Sequence, residues 1–206
     1  MSDLPKAVAW DIDGTLIDSE PLHLAALIEV SMRYGLDLSH EPEDRFRGRH
    51  MGDVWRALRA FYPGHLSEQR WADEIIDTYI ESAPSLQPMP GALETMRELH
   101  ALGIPQACVS NSERRVVDAN IAALGILDLI EFSISRDNVT AGKPDPEPYR
   151  EACYRLGFAP HDVLAVEDSD PGAQSAQAAG LKVLRIEADG TSFEMLRLSR
   201  RGNSSG

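Results

Sequence analysis

The chain has 206 residues, a formal net charge of −13, 43% hydrophobic and 26% charged residues. That length suits one large domain, or one domain with a smaller insert, of ordinary soluble composition. The acidity and the absence of any Lys/Arg cluster beyond short pairs exclude a nucleic-acid footprint, and no apolar run nears the roughly 18 residues of a membrane span.

The first residues, Met1 to Lys6, contain no secretory apolar region, so the expectation is a soluble cytoplasmic protein. Ala7–Trp10 is an apolar run long enough for a buried strand. Asp11 and Asp13 follow two residues apart, and Gly14 breaks the strand. Residues i and i+2 of an extended chain point the same way, so both carboxylates can share a site at the strand's carboxyl end. Their mutual repulsion calls for a divalent metal, a lysine or a proton. From residue 17 to 87 the pattern is helical. Glu20-Pro21 starts a helix that Gly35 closes, and residues 50–62 and 66–82 carry two more. Trp71, Ile75, Ile76, Tyr79 and Ile80 repeat at helical spacing and read as core. A proline-rich stretch, residues 83–91, is the return linker.

The character then changes. Helices over 91–102, 113–124, 146–156 and 171–179 each end in a glycine: Gly103, Gly125, Gly157 and Gly180. Each glycine suits a left-handed cap, and the apolar residue after it packs back. Between them lie short strands at Gln106–Val109, Ile130–Ile134, Val163–Val166 and Val183–Ile186. Five strands alternating with helices predict an α/β fold, a Rossmann-like parallel sheet with an inserted all-helical unit after the first strand. The predicted division is residues 1–16 with 88–206 for the core and 17–87 for the insert.

The strand ends carry the chemistry. The first ends in Asp11 and Asp13, the second in Ser110-Asn111-Ser112. After the third comes Gly142-Lys143-Pro144, and the fourth ends in Glu167-Asp168-Ser169, with Asp170 before Pro171 as a helix cap. A parallel sheet brings all four ends to one edge. Four carboxylates then meet one of only three lysines in the chain and two hydroxyls. Oxygen ligands without histidine or cysteine suit a hard cation, Mg²⁺ first. Such a cation with a lysine, hydroxyls and turn N–H groups suits a phosphoryl group. One aspartate is placed to attack phosphorus and the other to carry a proton for the leaving oxygen. Cys108 and Cys153 match no metal spacing and read as reduced core thiols.

Asp11-Ile12-Asp13-Gly14-Thr15-Leu16, Ser110-Asn111, Gly142-Lys143-Pro144 and Glu167-Asp168-Ser169 with Gly172, Ala176 and Gly180 resemble, in order, the four motifs of the haloacid dehalogenase superfamily. The likeness covers nearly the whole chain. The stretch Leu16-Ile17-Asp18-Ser19-Glu20-Pro21-Leu22-His23 resembles the branch of β-phosphoglucomutase and the small-metabolite phosphatases, in which the helical insert is a cap. The resemblance implies Asp11 as nucleophile, through an aspartyl phosphate. Asp13 would be the acid and base, and Lys143 would neutralise Asp11 and the phosphoryl oxygens. Ser110 and the Asn111 backbone would bind phosphate. Mg²⁺ would be held by Asp11, the Asp13 carbonyl and Asp168, with Glu167 in or beside its shell.

Within the family, Asp13 argues against a dehalogenase, and an insert without lysine argues against a phosphonatase. Glu113 stands where β-phosphoglucomutase places a lysine. The expectation is a Mg²⁺-dependent phosphatase acting on a small phosphorylated metabolite. Glu20, His23, Arg47, Arg49 and His50 are the candidates for substrate or cap-closure contacts. Two alternatives stand beside it. One is a phosphosugar mutase, for which Arg47, Arg49 and Arg114 could hold a second phosphate. The other is a catalytically silent binding protein on the same fold.

Overall fold

Five short, largely apolar segments pair side by side, all parallel, in the order β3-β2-β1-β4-β5. They are β1 (Ala7–Trp10), β2 (Gln106–Val109), β3 (Phe132–Ile134), β4 (Val163–Glu167) and β5 (Lys182–Arg185). The computed structural model describes residues 4–42, 45–46, 51–187 and 193. β1 lies at the centre, with Ala9 opposite Ala107 of β2 and Ala165 of β4. The chain leaves β1 for β2 and β3 on one side and returns to β4 and β5 on the other. Beside β1 the connections therefore diverge in opposite directions, the place where open parallel sheets leave a crevice at the strands' carboxyl ends.

Side chains alternate across the sheet. Ala7, Ala9, Val163 and Ala165 are buried with Tyr149, Ala152 and Cys153 of α6 (Glu147–Leu156) and Ala176 of α7 (Asp170–Ala178). Small residues here let the helices approach the strands closely. On the other face Trp10 donates its indole N–H to Gln106 Oε1 at 2.9 Å, and Gln106 donates to the Met96 carbonyl of α4 (Ala92–Ala101) at 3.0 Å. That leaves no polar atom of Gln106 unpaired in an apolar setting, where an unmade hydrogen bond is costly. A further helix, α5 (Arg114–Leu124), follows β2.

Two compact units emerge, one of residues Met1–Asp18 and Gln87–Gly206, the other Ser19–Leu86. The second is built from α1 (Glu20–Arg33), α2 (Met51–Leu58) and α3 (Glu68–Ser82). Its own core is aromatic. Trp55 and Trp71 rings lie 5.3 Å apart, and Tyr62 shares hydrogen bonds with Ser31 at 2.7 Å and Trp71 at 3.1 Å.

The expected glycine caps all have positive φ, from 63° at Gly125 to 90° at Gly180. Element ends differ in places. The helix expected over 50–62 stops at Leu58 and tightens into a 3₁₀ turn, Arg59–Phe61, because Pro63 forces Tyr62 into an extended conformation. β3 starts at Phe132 rather than Ile130, after a 3₁₀ turn over Leu127–Leu129. The cap of α7 is Ser169, not Asp170: its hydroxyl accepts the Gly172 N–H at 3.2 Å.

Candidate active site

The carboxyl end of β1 is held in place by its neighbours. The Asp11 N–H donates to the Val166 carbonyl of β4 at 2.9 Å, continuing the ladder one residue past the strand. Gly14 then turns the chain with φ of 81°. A Cβ on Gly14 would lie 2.3 Å from Asp168 Oδ2, so only glycine lets the turn and Asp168 coexist.

Lys143 is the centre of the charge arrangement. Its side chain is almost wholly buried, and Nζ lies 2.6 Å from Asp11 Oδ1, 2.6 Å from Glu167 Oε1 and 2.8 Å from the Val109 carbonyl. The loop that carries it is clamped by Asn111, which accepts the Lys143 N–H at 2.8 Å and donates to the Lys143 carbonyl at 3.0 Å. Sequence reasoning valued Asn111 for its backbone; its side chain here positions the lysine. Thr15 donates to Asp11 Oδ2 at 2.9 Å and lies 3.2 Å from Asp168 Oδ1. Both oxygens of Asp11 are thus oriented.

Asp13 is held separately. Ser110 and Ser112 hydroxyls donate to its Oδ2 at 3.0 and 2.8 Å, and Asn120 of α5 donates to Oδ1 at 2.9 Å. The buried Asn120 was not singled out from sequence, where it reads as one more position on a helix.

Oxygens of Asp11, Glu167 and Asp168 lie within 4.8 Å of one another. Three carboxylates around one ammonium carry surplus negative charge. Burial, reinforced by Glu167, lifts the Asp11 carboxyl well above the usual carboxylate range, with Lys143 pulling the other way. Burial and then Glu167 raise Asp168 too. Burial opposes the Lys143 charge, but Asp11 and Glu167 outweigh it and hold the ammonium above its ordinary range. A cluster this short of positive charge, with oxygen donors alone, fits a hard divalent cation.

Of the remaining candidates, Glu20 and His23 lie on α1 in the helical unit, where the His23 ring stacks on Tyr79 at 4.3 Å. Arg47, Arg49 and His50 lie outside the described residues. Arg114 is committed within the core: its guanidinium donates to Ser133 Oγ at 2.7 Å and to Asp118 at 3.1 Å, and also reaches Asn138. Among the described residues no helix is long and apolar enough to cross a membrane.

Residues 5–180 match the model of the haloacid dehalogenase-like hydrolases. The chain is 29% identical over 176 residues to validoxylamine A 7'-phosphate phosphatase of Streptomyces hygroscopicus subsp. limoneus, covering 85% of this chain and 83% of the relative. It is 33% identical over 187 residues to phosphoglycolate phosphatase of Nitrosospira multiformis, covering 88% and 82%. Among solved structures, CbbY from Rhodobacter sphaeroides in complex with phosphate superposes with a TM-score of 0.79 at 24% identity, over 90% of this chain and 88% of that one. That likeness is one of fold.

Proposed function

The chain belongs to the haloacid dehalogenase-like hydrolases, and from that premise we propose that it is a divalent-cation-dependent phosphatase, cleaving a small phosphorylated metabolite through an aspartyl phosphate. The observation that carries this reading is Asp11 gripped on both oxygens, by Lys143 at 2.6 Å and Thr15 at 2.9 Å, beside Glu167 and Asp168. The relatives named above for phosphatase activity support the hydrolytic outcome.

In the proposed reaction a carboxylate oxygen of Asp11 attacks phosphorus and the bond to the ester oxygen breaks. Asp13 gives its proton to the departing oxygen. It then takes a proton from water as that water attacks phosphorus, which releases inorganic phosphate and restores Asp11. Lys143 offsets the negative charge that gathers on Asp11 and the phosphoryl oxygens. Ser110, Ser112 and Asn120 fix where the Asp13 carboxyl group stands. Asp11 and Asp168, with the Asp13 carbonyl, would hold Mg²⁺ beside Glu167. When bound, Mg²⁺ supplies charge neutralisation and alignment for the phosphoryl group. Glu20, His23, Arg47, Arg49 and His50 are the residues proposed from the sequence for contacts with the rest of the substrate.

Arg114 favours hydrolysis over a mutase reaction. Its two terminal nitrogens donate to Ser133, Asn138 and Asp118, and Glu113 beside it is acidic, so this side chain is engaged within its own unit rather than held ready for a second phosphate. A screen of phosphorylated metabolites with and without Mg²⁺ tests the reading, including β-glucose 1-phosphate with a bisphosphate activator. Free phosphate is expected, and isomerised sugar phosphate would overturn the proposal. Asp11→Asn should lower turnover by at least about a thousandfold with an unchanged circular dichroism spectrum. Substantial retained activity would remove Asp11 from the nucleophile role.

A further inference from the structure

One buried group beside the site has no part in the chemistry above. Tyr149 of α6 is completely buried, and its hydroxyl donates to Glu167 Oε1 at 2.5 Å. The same oxygen takes the Lys143 ammonium at 2.6 Å, and the Tyr149 ring lies under that ammonium at 5.3 Å from Nζ to the centroid. The other oxygen, Oε2, accepts from the Ser169 hydroxyl at 3.2 Å. Behind Glu167 stands Gly172, where a Cβ would lie 1.9 Å from Oε2 and 2.2 Å from Oε1. The carboxylate is therefore seated on the first turn of α7, where a helix terminus favours negative charge. Three donors and a glycine wall determine its orientation.

We propose that Tyr149 is a positioning residue for the cation site: through its hydrogen bond to Glu167 it sets how that carboxylate shares its charge between Lys143 and a divalent cation beside Asp11 and Asp168. The inference rests on the cation reading of the site and deepens it. Partners one step removed from a metal orient the ligands, and their removal costs about 10–100-fold in affinity or activity. Tyr149→Phe removes one oxygen and leaves the ring under Lys143, so the packing of α6 stays.

The test is titration of the full-length protein with Mn²⁺, followed by electron paramagnetic resonance, and with Mg²⁺ by calorimetry, without substrate. Tyr149→Phe should weaken both by about tenfold. Thermal melting and circular dichroism should show the fold retained. In a Glu167→Gln background the same substitution should add little, because its route runs through Glu167. Unchanged or tighter binding in Tyr149→Phe, or an equal loss in the Glu167→Gln background, overturns the role. Wild-type protein that binds neither cation removes the cation reading and this inference together. Wild-type binding with an indifferent Tyr149→Phe removes this inference alone.

Discussion

At the scale of single residues, the burial that builds the site also silences its neighbours. Cys108 is completely buried; burial, with Asp11 nearby, pushes its thiol up to about 12. Burial alone pushes Cys153 up to about 11. The thiolate is the reactive form, so neither should respond to a disulfide reagent at pH 8 in the native protein, while both react once it is unfolded. One fast-reacting equivalent in the native state would contradict this packing. These thiols were readable from sequence as core residues because they match no metal spacing. Thr15, Asn120 and Tyr149 were not read from it as parts of the site. Each sits among ordinary turn or helix positions, and each gains its meaning from a partner on another element: Asp168, Asp13 and Glu167.

At the scale of elements, glycine caps and one acidic side chain hold the loops that frame the sheet edge. Gly125 ends α5 with φ of 63°, and a Cβ there meets nothing within 4 Å. Gly125→Ala should then cost only the left-handed backbone penalty, about 1–2 kcal/mol. It would be read as a lower urea midpoint at unchanged slope. The loop leading to Lys143 depends on Glu147, whose carboxylate accepts the Thr140 and Ala141 N–H groups at 2.9 and 2.8 Å. Those bonds stabilise the carboxylate and hold its pKa below the ordinary glutamate value. A lowered folded-state value gives stability that is present above the unfolded value of about 4.3 and is lost as pH falls through the folded one. Glu147→Gln should therefore flatten the pH dependence of stability below about pH 4.5, as measured by urea melts across pH. An unchanged acid limb would refute this use of Glu147. Strands and helices themselves were legible to within a few residues, because their signals are local. Apolar runs mark β1 and β2, and glycines that need positive φ mark the helix ends. The end of the helix expected over 50–62 differs because Pro63 holds Tyr62 extended, and the α7 cap differs because the Ser169 hydroxyl takes the Gly172 N–H.

At the scale of the molecule, the surplus negative charge at the sheet edge links stability to cations. A divalent cation that binds only the folded chain stabilises it by mass action, about 2.7 kcal/mol at a hundredfold excess over Kd. Thermal melts should rise with Mg²⁺, fall back with a chelator, and lose the response in Asp168→Asn. A flat response in the wild type would count against the cation site. What the sequence alone determined was the alternation of strands and helices, the helical interruption after β1, and the order of the polar strand ends. These follow from hydrophobic period, glycine conformation and spacing, which act over a few residues. Only the tertiary structure decided how the side chains face one another. Lys143 bridges Asp11 and Glu167, Asp13 is held by Ser110, Ser112 and Asn120, and Arg114 is spent on the β3 side of the core. Those pairings join residues up to 132 positions apart, so strand register and helix packing set them, and no local pattern carries that information.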